Sequence, residues 1–105
     1  MKLKASLMAM FLVLAACASS PKGKIMQQAI AVEATNDLAT TAVDYDLISV
    51  DQALKVQELT RLAAKDVRRA WAALKAGKPL EVVNRIIASA VDALERADAI
   101  IQGGD

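Results

Sequence analysis

Residues able to carry out chemistry are few in this chain, which has 105 residues, one cysteine and no histidine. Without histidine the sequence lacks the commonest general base and the commonest metal ligand, so no serine or cysteine nucleophile can pair with an imidazole. The carboxylates fall among lysines and arginines on the polar faces of predicted helices, which is typical of a solvated surface rather than an acid–base pair. These features predict a protein that is not an enzyme and that holds no cofactor.

Three aspartates, Asp44, Asp46 and Asp51, come nearest to a metal-binding pattern. An EF-hand loop needs acidic residues at alternate positions, a central glycine and a terminal glutamate. Residues 43–52 contain neither glycine nor glutamate, and no glycine-rich phosphate loop is present in the chain. The sequence therefore predicts no metal site and no nucleotide site.

The single thiol, Cys17, comes at the end of a segment typical of a secretion signal. Lys2 and Lys4 form a short positive region, and residues 5–14 form an uncharged apolar stretch. This stretch is shorter than the roughly 20 apolar residues that cross a bilayer. An apolar residue and two small residues then precede the cysteine, in the order Leu14-Ala15-Ala16-Cys17.

That order resembles the lipobox of bacterial lipoproteins. The resemblance implies that the Cys17 thiol receives a diacylglyceryl group, that a dedicated signal peptidase cuts between Ala16 and Cys17, and that the new amino group is acylated. Ala18 is not the aspartate that retains enterobacterial lipoproteins in the inner membrane, which implies the periplasmic leaflet of the outer membrane in a Gram-negative host. The alternative is a conventional secretion signal cut after Ala18, because Ala16-Cys17-Ala18 also fits a small-x-small site.

Composition divides the chain into residues 1–16 as the signal peptide, 17–24 as the lipidated cysteine with a flexible tether, and 25–105 as a helical domain. The tether combines small residues with proline and glycine, and its seven residues after Cys17 reach at most ~25 Å.

Apolar residues in the domain recur at helical spacing and predict helices over about residues 24–46, 50–76 and 79–101. Short connections favour an all-α, antiparallel three-helix bundle. A hairpin of the second and third helices, with the first loosely attached or used for oligomerisation, is the alternative.

Each predicted helix has a face expected to be buried. The first helix should bury Ala31, Ala34, Leu38, Ala42 and Tyr45. The second should bury Val56, Leu59, Ala63, Val67, Ala70 and Leu74. The third should bury Val83, Ile87, Ala90, Leu94, Ala97 and Ile101. Ser49 and Gln52 match a capping box at the start of the second helix, and Gly77 is expected to end it in a left-handed conformation.

Charge is nearly balanced in the predicted mature chain. Lys2 and Lys4 leave with the signal, so 11 of the 13 basic residues remain against all 12 acids, a net charge of −1. This balance predicts no overall attraction to nucleic acid or to anionic lipid. The second predicted helix is basic and its two neighbours are acidic, which would help to fix their pairing.

A basic strip on the second helix is the candidate site for binding a partner. Its residues combine positive charge at helical spacing with the only tryptophan of the chain: Arg61, Lys65, Arg68, Arg69 and Trp71. Such a strip can meet phosphates, lipopolysaccharide or an acidic protein face, and tryptophan often anchors an interface. Alternatively, Trp71 fills the core and the basic residues neutralise the neighbouring helices.

Residues 40–43, then residues 47–53, then the basic alanine-rich helix that follows resemble a pattern met in small proteins of tailed bacteriophages and prophages. The resemblance covers about residues 38–76. It implies an accessory phage lipoprotein that alters the host envelope against further infection or assists envelope disruption at lysis. Phage outer-membrane lysis lipoproteins are proline-rich in their mature part, and the two prolines here, Pro21 and Pro79, disfavour the lysis role.

These features together predict a lipid-anchored lipoprotein that faces the periplasm. Its helical domain is expected to be a non-catalytic module that binds another envelope protein close to the membrane. Self-assembly is the structural alternative, with exposed Leu54 and Leu62 forming the contact between copies. Nucleic acid is not an expected partner.

Overall fold

The computed structural model describes residues 20–103, which form three helices joined by two short turns. Helix α1 spans Pro21–Asp44, α2 spans Val50–Lys75 and α3 spans Leu80–Ile101. Each helix packs against the other two, so the structure favours the predicted all-α three-helix bundle over the hairpin alternative. The predicted signal peptide and Cys17 lie outside the described residues.

The start of α1 differs from the prediction, because the helix begins at Pro21 and not at Lys24. The Ser20 side chain accepts a hydrogen bond from the backbone N–H of Gly23 at 3.0 Å, and Pro21 occupies the first turn, where its missing N–H is not needed. The prediction that residues 21–24 belong to a flexible tether is therefore wrong. Three residues, 18–20, now separate Cys17 from α1, and they span at most ~11 Å.

Both turns begin with the same backbone motif, in which a left-handed residue follows the helix and two N–H groups bond back to its last turn. After α2 the left-handed residue is Gly77, at φ +74°, and the N–H of Lys78 donates to the carbonyl of Ala73 at 3.0 Å. After α1 it is Asp46, at φ +58°, and the N–H of Leu47 donates to the carbonyl of Ala42 at 2.7 Å. The conformation predicted for Gly77 is confirmed, whereas that of Asp46 was not predicted.

Helix α2 begins with the predicted capping box. The backbone N–H of Gln52 donates to Ser49 Oγ at 3.1 Å, and the backbone N–H of Ser49 donates to Gln52 Oε1 at 2.8 Å. Two donors that have no partner within the helix are therefore satisfied reciprocally.

The core consists of three layers along the bundle axis, and alanine supplies much of it. The middle layer comprises Ala31, Ala63, Ala90, Ala93 and Leu94. The layer near the first turn comprises Ala39, Val56, Ala97, Ile100 and Ile101. The layer near the second turn comprises Ile25, Ala70, Val83 and Ile87. The stripe predicted for α3 is confirmed, and on α2 Val56, Ala63 and Ala70 are buried while the other three predicted residues are half-buried.

The face predicted for α1 is wrong at Tyr45, whose side chain is 73% exposed. The helix ends at Asp44, so Tyr45 becomes its cap and turns away from the core. Of the other predicted residues, Ala31 and Ala42 are buried, and two are half-buried. Two polar residues, Gln28 and Thr35, are buried on α1 instead. Helix α1 packs against both α2 and α3, so the buried part of its circumference includes polar residues.

Within residues 20–103, no helix has both the length and the apolar character needed to cross a bilayer.

Candidate functional site

The predicted basic strip lies entirely on α2, but the helix does not bring its residues to one surface. At about 100° of rotation per residue, Arg61, Lys65 and Arg68 share the outward face, which is exposed. Trp71 and Arg69 lie on opposite flanks of that face, Trp71 toward α1 and Arg69 toward α3. The predicted site is therefore divided between two grooves, each formed with a different neighbouring helix.

The flank toward α1 carries a groove of about 390 Å³, which we call the Trp71 groove. Its lining residues come from the first turns of α1 and the last turns of α2: Lys22, Ile25, Met26, Ala29, Val67, Arg68 and Trp71. Trp71 is 38% exposed, so it does not fill the core as the alternative required. Lys75 places its Nζ 5.8 Å from the centre of the indole ring, a distance at which a cation is attracted to the ring.

On the flank toward α3, Arg69 is held by a buried carboxylate. Arg69 Nη1 lies 2.9 Å from Asp66 Oδ1, and the Asp66 side chain is only 11% exposed. A carboxylate buried to this extent needs a cationic or hydrogen-bonding partner, so Arg69 has a structural role. Sequence reasoning missed Asp66, because an acid next to several bases on an exposed helix is usually a surface residue.

The bundle segregates charge along its axis, and we divide it at the middle core layer into a basic half and an acidic half. The basic half, residues 21–32 and 63–90, has eight basic and two acidic residues, a net charge of +6. The acidic half, residues 33–62 and 91–103, has three basic and nine acidic residues, a net charge of −6. The net charge of the chain is nearly zero because the charges of these two halves cancel.

At the end of the acidic half, the first turn and the start of α2 expose four large apolar side chains. We call these side chains, together with the aspartates beside them, the acidic tip. The apolar members are Tyr45 at 73%, Leu47 at 59%, Val50 at 64% and Leu54 at 57% exposure. The acidic members are Asp44, Asp46 and Asp51. Val50 and Leu54 line a groove of about 480 Å³ together with α1 residues that include Val43.

The two leucines considered for self-assembly lie beside different neighbouring helices. Leu54 belongs to the acidic tip, on the flank of α2 toward α1. Leu62, which is 50% exposed, lines a groove on the flank toward α3. The two leucines therefore line different grooves on either side of the outward face of α2.

Polar groups inside the bundle join α1 to α2 at one point and are unpaired at two others. Thr60 Oγ1 lies 2.7 Å from Asn36 Oδ1 and 3.0 Å from the carbonyl oxygen of Gln57, within hydrogen-bond distance of both. Gln28 Oε1 and Thr35 Oγ1 are buried without a hydrogen-bond partner among residues 20–103. These two groups make α1 the least well satisfied of the three helices.

Over the described part of the chain, no three acidic or cysteine side chains lie close enough together to hold a metal ion. Comparison of the chain with protein-family models found no match, and neither did searches of curated proteins and of solved structures. The function proposed below is therefore based on the residues and on the geometry of the bundle.

Proposed function

We propose that this chain is the precursor of a bacterial lipoprotein whose mature part is a non-catalytic binding module. The lipid on Cys17 anchors the module, in a Gram-negative host to the periplasmic leaflet of the outer membrane, as the resemblance to the lipobox implies. Two or three acyl chains at ~0.8 kcal/mol per buried methylene provide a stable anchor. The early start of α1 supports close attachment, because the bundle begins within ~11 Å of the anchored residue.

The observation that carries the binding role is the acidic tip. A small monomeric domain rarely exposes four large apolar side chains within ten residues unless they meet a partner. Helix α1 has 24 residues and is ~36 Å long, so it holds the tip away from the end that follows the anchor. The chemistry of the tip suits a protein partner with an apolar ridge flanked by lysine or arginine.

A different envelope protein fits the tip better than a second copy of this chain in a symmetric contact. Two tips facing each other would bring Asp44, Asp46 and Asp51 of both copies together, and like charges at close range oppose association. The resemblance to phage and prophage proteins supports a more specific role, in which binding alters an envelope protein and excludes further infecting phage.

A photo-activated crosslinking side chain placed at position 54 in intact cells tests this role. Replacement of Leu54 at the tip should give a discrete adduct with another envelope protein. The same side chain at Asn84, which is exposed in the basic half, serves as the matched control and should give no such adduct. Adducts with only the mass of two copies would favour self-assembly, and equal adducts from both positions would contradict a binding role for the tip.

A further inference from the structure

We propose that the Trp71 groove and the basic residues around it lie against the anionic phospholipid headgroups of the membrane that carries the lipid anchor. This inference rests on the lipid anchoring proposed above. It adds a fixed orientation, in which the basic half faces the bilayer and the acidic tip faces away from it.

Chain geometry brings this surface to the membrane. The anchored residue lies three positions before Ser20, and Ser20 caps the end of α1 that contributes to the Trp71 groove. The intervening residues span at most ~11 Å, a distance comparable to the ~8–10 Å over which charges are felt at physiological salt. Of the two ends of the bundle, only the basic one can therefore remain within electrostatic range of the leaflet in every orientation of the domain.

Charge selects anionic headgroups as the ligand of this surface. Residues 21–32 of α1 contain no acid, and Lys22 lines the groove opposite Arg68, with Lys75 above the indole ring. One lysine or arginine close to an anionic membrane strengthens binding about fivefold. The opposite half, with its net charge of −6, would be repelled by the same leaflet, so attraction and repulsion favour the same orientation.

The apolar residues at the groove match the interface between headgroups and acyl chains. Met26 is 56% exposed and Trp71 is 38% exposed, and Ile30 one turn further along α1 is 47% exposed. Tryptophan concentrates at the level of the headgroups, where its ring is half in an apolar environment. Lysine and arginine beside it can extend toward the phosphates while their stems cover apolar surface.

The only tryptophan of the chain makes the orientation measurable. The mature lipidated protein is reconstituted into vesicles of phosphatidylcholine alone or mixed with phosphatidylglycerol, and acrylamide quenching of Trp71 fluorescence is compared. We expect phosphatidylglycerol to shift the emission to the blue and to reduce quenching, and raised salt to reverse both effects.

Two double variants with the same change in charge test which surface is responsible. Lys22→Glu with Arg68→Glu alters the groove and should lower the ratio of docked to undocked domain by at least about 25-fold, at about fivefold per basic residue removed. Quenching should then no longer respond to phosphatidylglycerol. Lys55→Glu with Arg96→Glu changes the net charge equally in the acidic half and should leave the response intact.

Loss of the response in both double variants, or equal quenching of the unaltered protein in both kinds of vesicle, would overturn the orientation. An acidic protein would then be the better candidate for the groove. Mass measurement of the same preparation reports the acyl chains on Cys17 separately. A Cys17 without them would overturn the anchoring and this inference together, whereas acylated protein with an unresponsive Trp71 would overturn the orientation alone.

Discussion

At the scale of single residues, two buried threonines provide a matched pair. Thr35 and Thr60 are 0% and 1% exposed, but only the Thr60 hydroxyl has hydrogen-bond partners among residues 20–103. A buried hydroxyl without a partner loses its hydration and gains nothing in return. The same substitution should therefore have opposite effects at the two positions.

We expect Thr35→Val to raise the free energy of unfolding by about 1 kcal/mol and Thr60→Val to lower it by a similar amount. Valine has nearly the shape of threonine, so neither change creates a cavity. Urea denaturation of the two variants, followed by circular dichroism, measures both effects. If both substitutions changed stability in the same direction, the two hydroxyls would not differ in hydrogen bonding as the structure shows.

The residues of the candidate site show what a sequence pattern cannot supply. Helical spacing places Arg61, Lys65 and Arg68 on the outward face of α2, and the structure agrees. Spacing alone does not show that Arg69 is paired with a buried Asp66 or that Trp71 lies in a groove with α1. Both facts depend on which flank each neighbouring helix occupies, and that is a property of the packed bundle.

At the scale of the helices, the two left-handed residues that end α1 and α2 should respond oppositely to substitution. The left-handed conformation of Asp46 is unfavourable for a residue with a side chain. Asp46→Gly should therefore stabilise the protein by up to about 1 kcal/mol. Gly77→Ala should destabilise it by about 1 kcal/mol, and this cost is conformational because an added Cβ meets nothing within 4 Å.

Thermal unfolding of the two variants beside the unaltered protein measures these effects. Gly103→Ala is a suitable control, because Gly103 is also left-handed, at φ +92°, with open space around it, but lies after α3 and joins no two of the three described helices. A melting temperature that falls for Asp46→Gly would mean that the Asp46 side chain contributes more than its strain costs.

How far the helices could be predicted depended on their composition. Capping residues and clear apolar spacing placed α2 and α3 within one residue of their observed limits. Helix α1 was harder, because alanine and threonine mark its faces weakly, and because Ser20-Pro21 suits both a linker and a helix start. Its buried Gln28 and Thr35 could not be found from a pattern that assigns only apolar residues to the core.

At the scale of the whole molecule, the lengthwise separation of charge was not visible in the sequence. The basic second helix and its acidic neighbours were apparent, but their charges were expected to compensate side by side. The antiparallel path instead brings Lys22 and Lys24 at the start of α1 beside the basic end of α2. The net charge of the whole chain therefore did not show that the basic half carries +6 and the acidic half −6.

The proposed lipid on Cys17 would attach the entire molecule to the membrane. We expect Cys17→Ser to abolish incorporation of labelled fatty acid, because the hydroxyl cannot form the thioether, and to leave an uncleaved or soluble form. Ser19→Ala, two residues away, should label and fractionate as the unaltered protein does. Metabolic labelling with cell fractionation measures both, and a Cys17→Ser protein that still labels and stays with membranes would contradict the lipoprotein assignment.

The alanine-rich middle layer also determines how the bundle responds to temperature. A layer of four alanines and one leucine lets helix axes approach toward the lower limit of about 8 Å and removes little apolar surface from water for each residue that is ordered. The heat capacity of unfolding scales with that surface. The free energy of unfolding should therefore vary only shallowly with temperature, with a flatter maximum than in a domain of equal length built around leucine and phenylalanine.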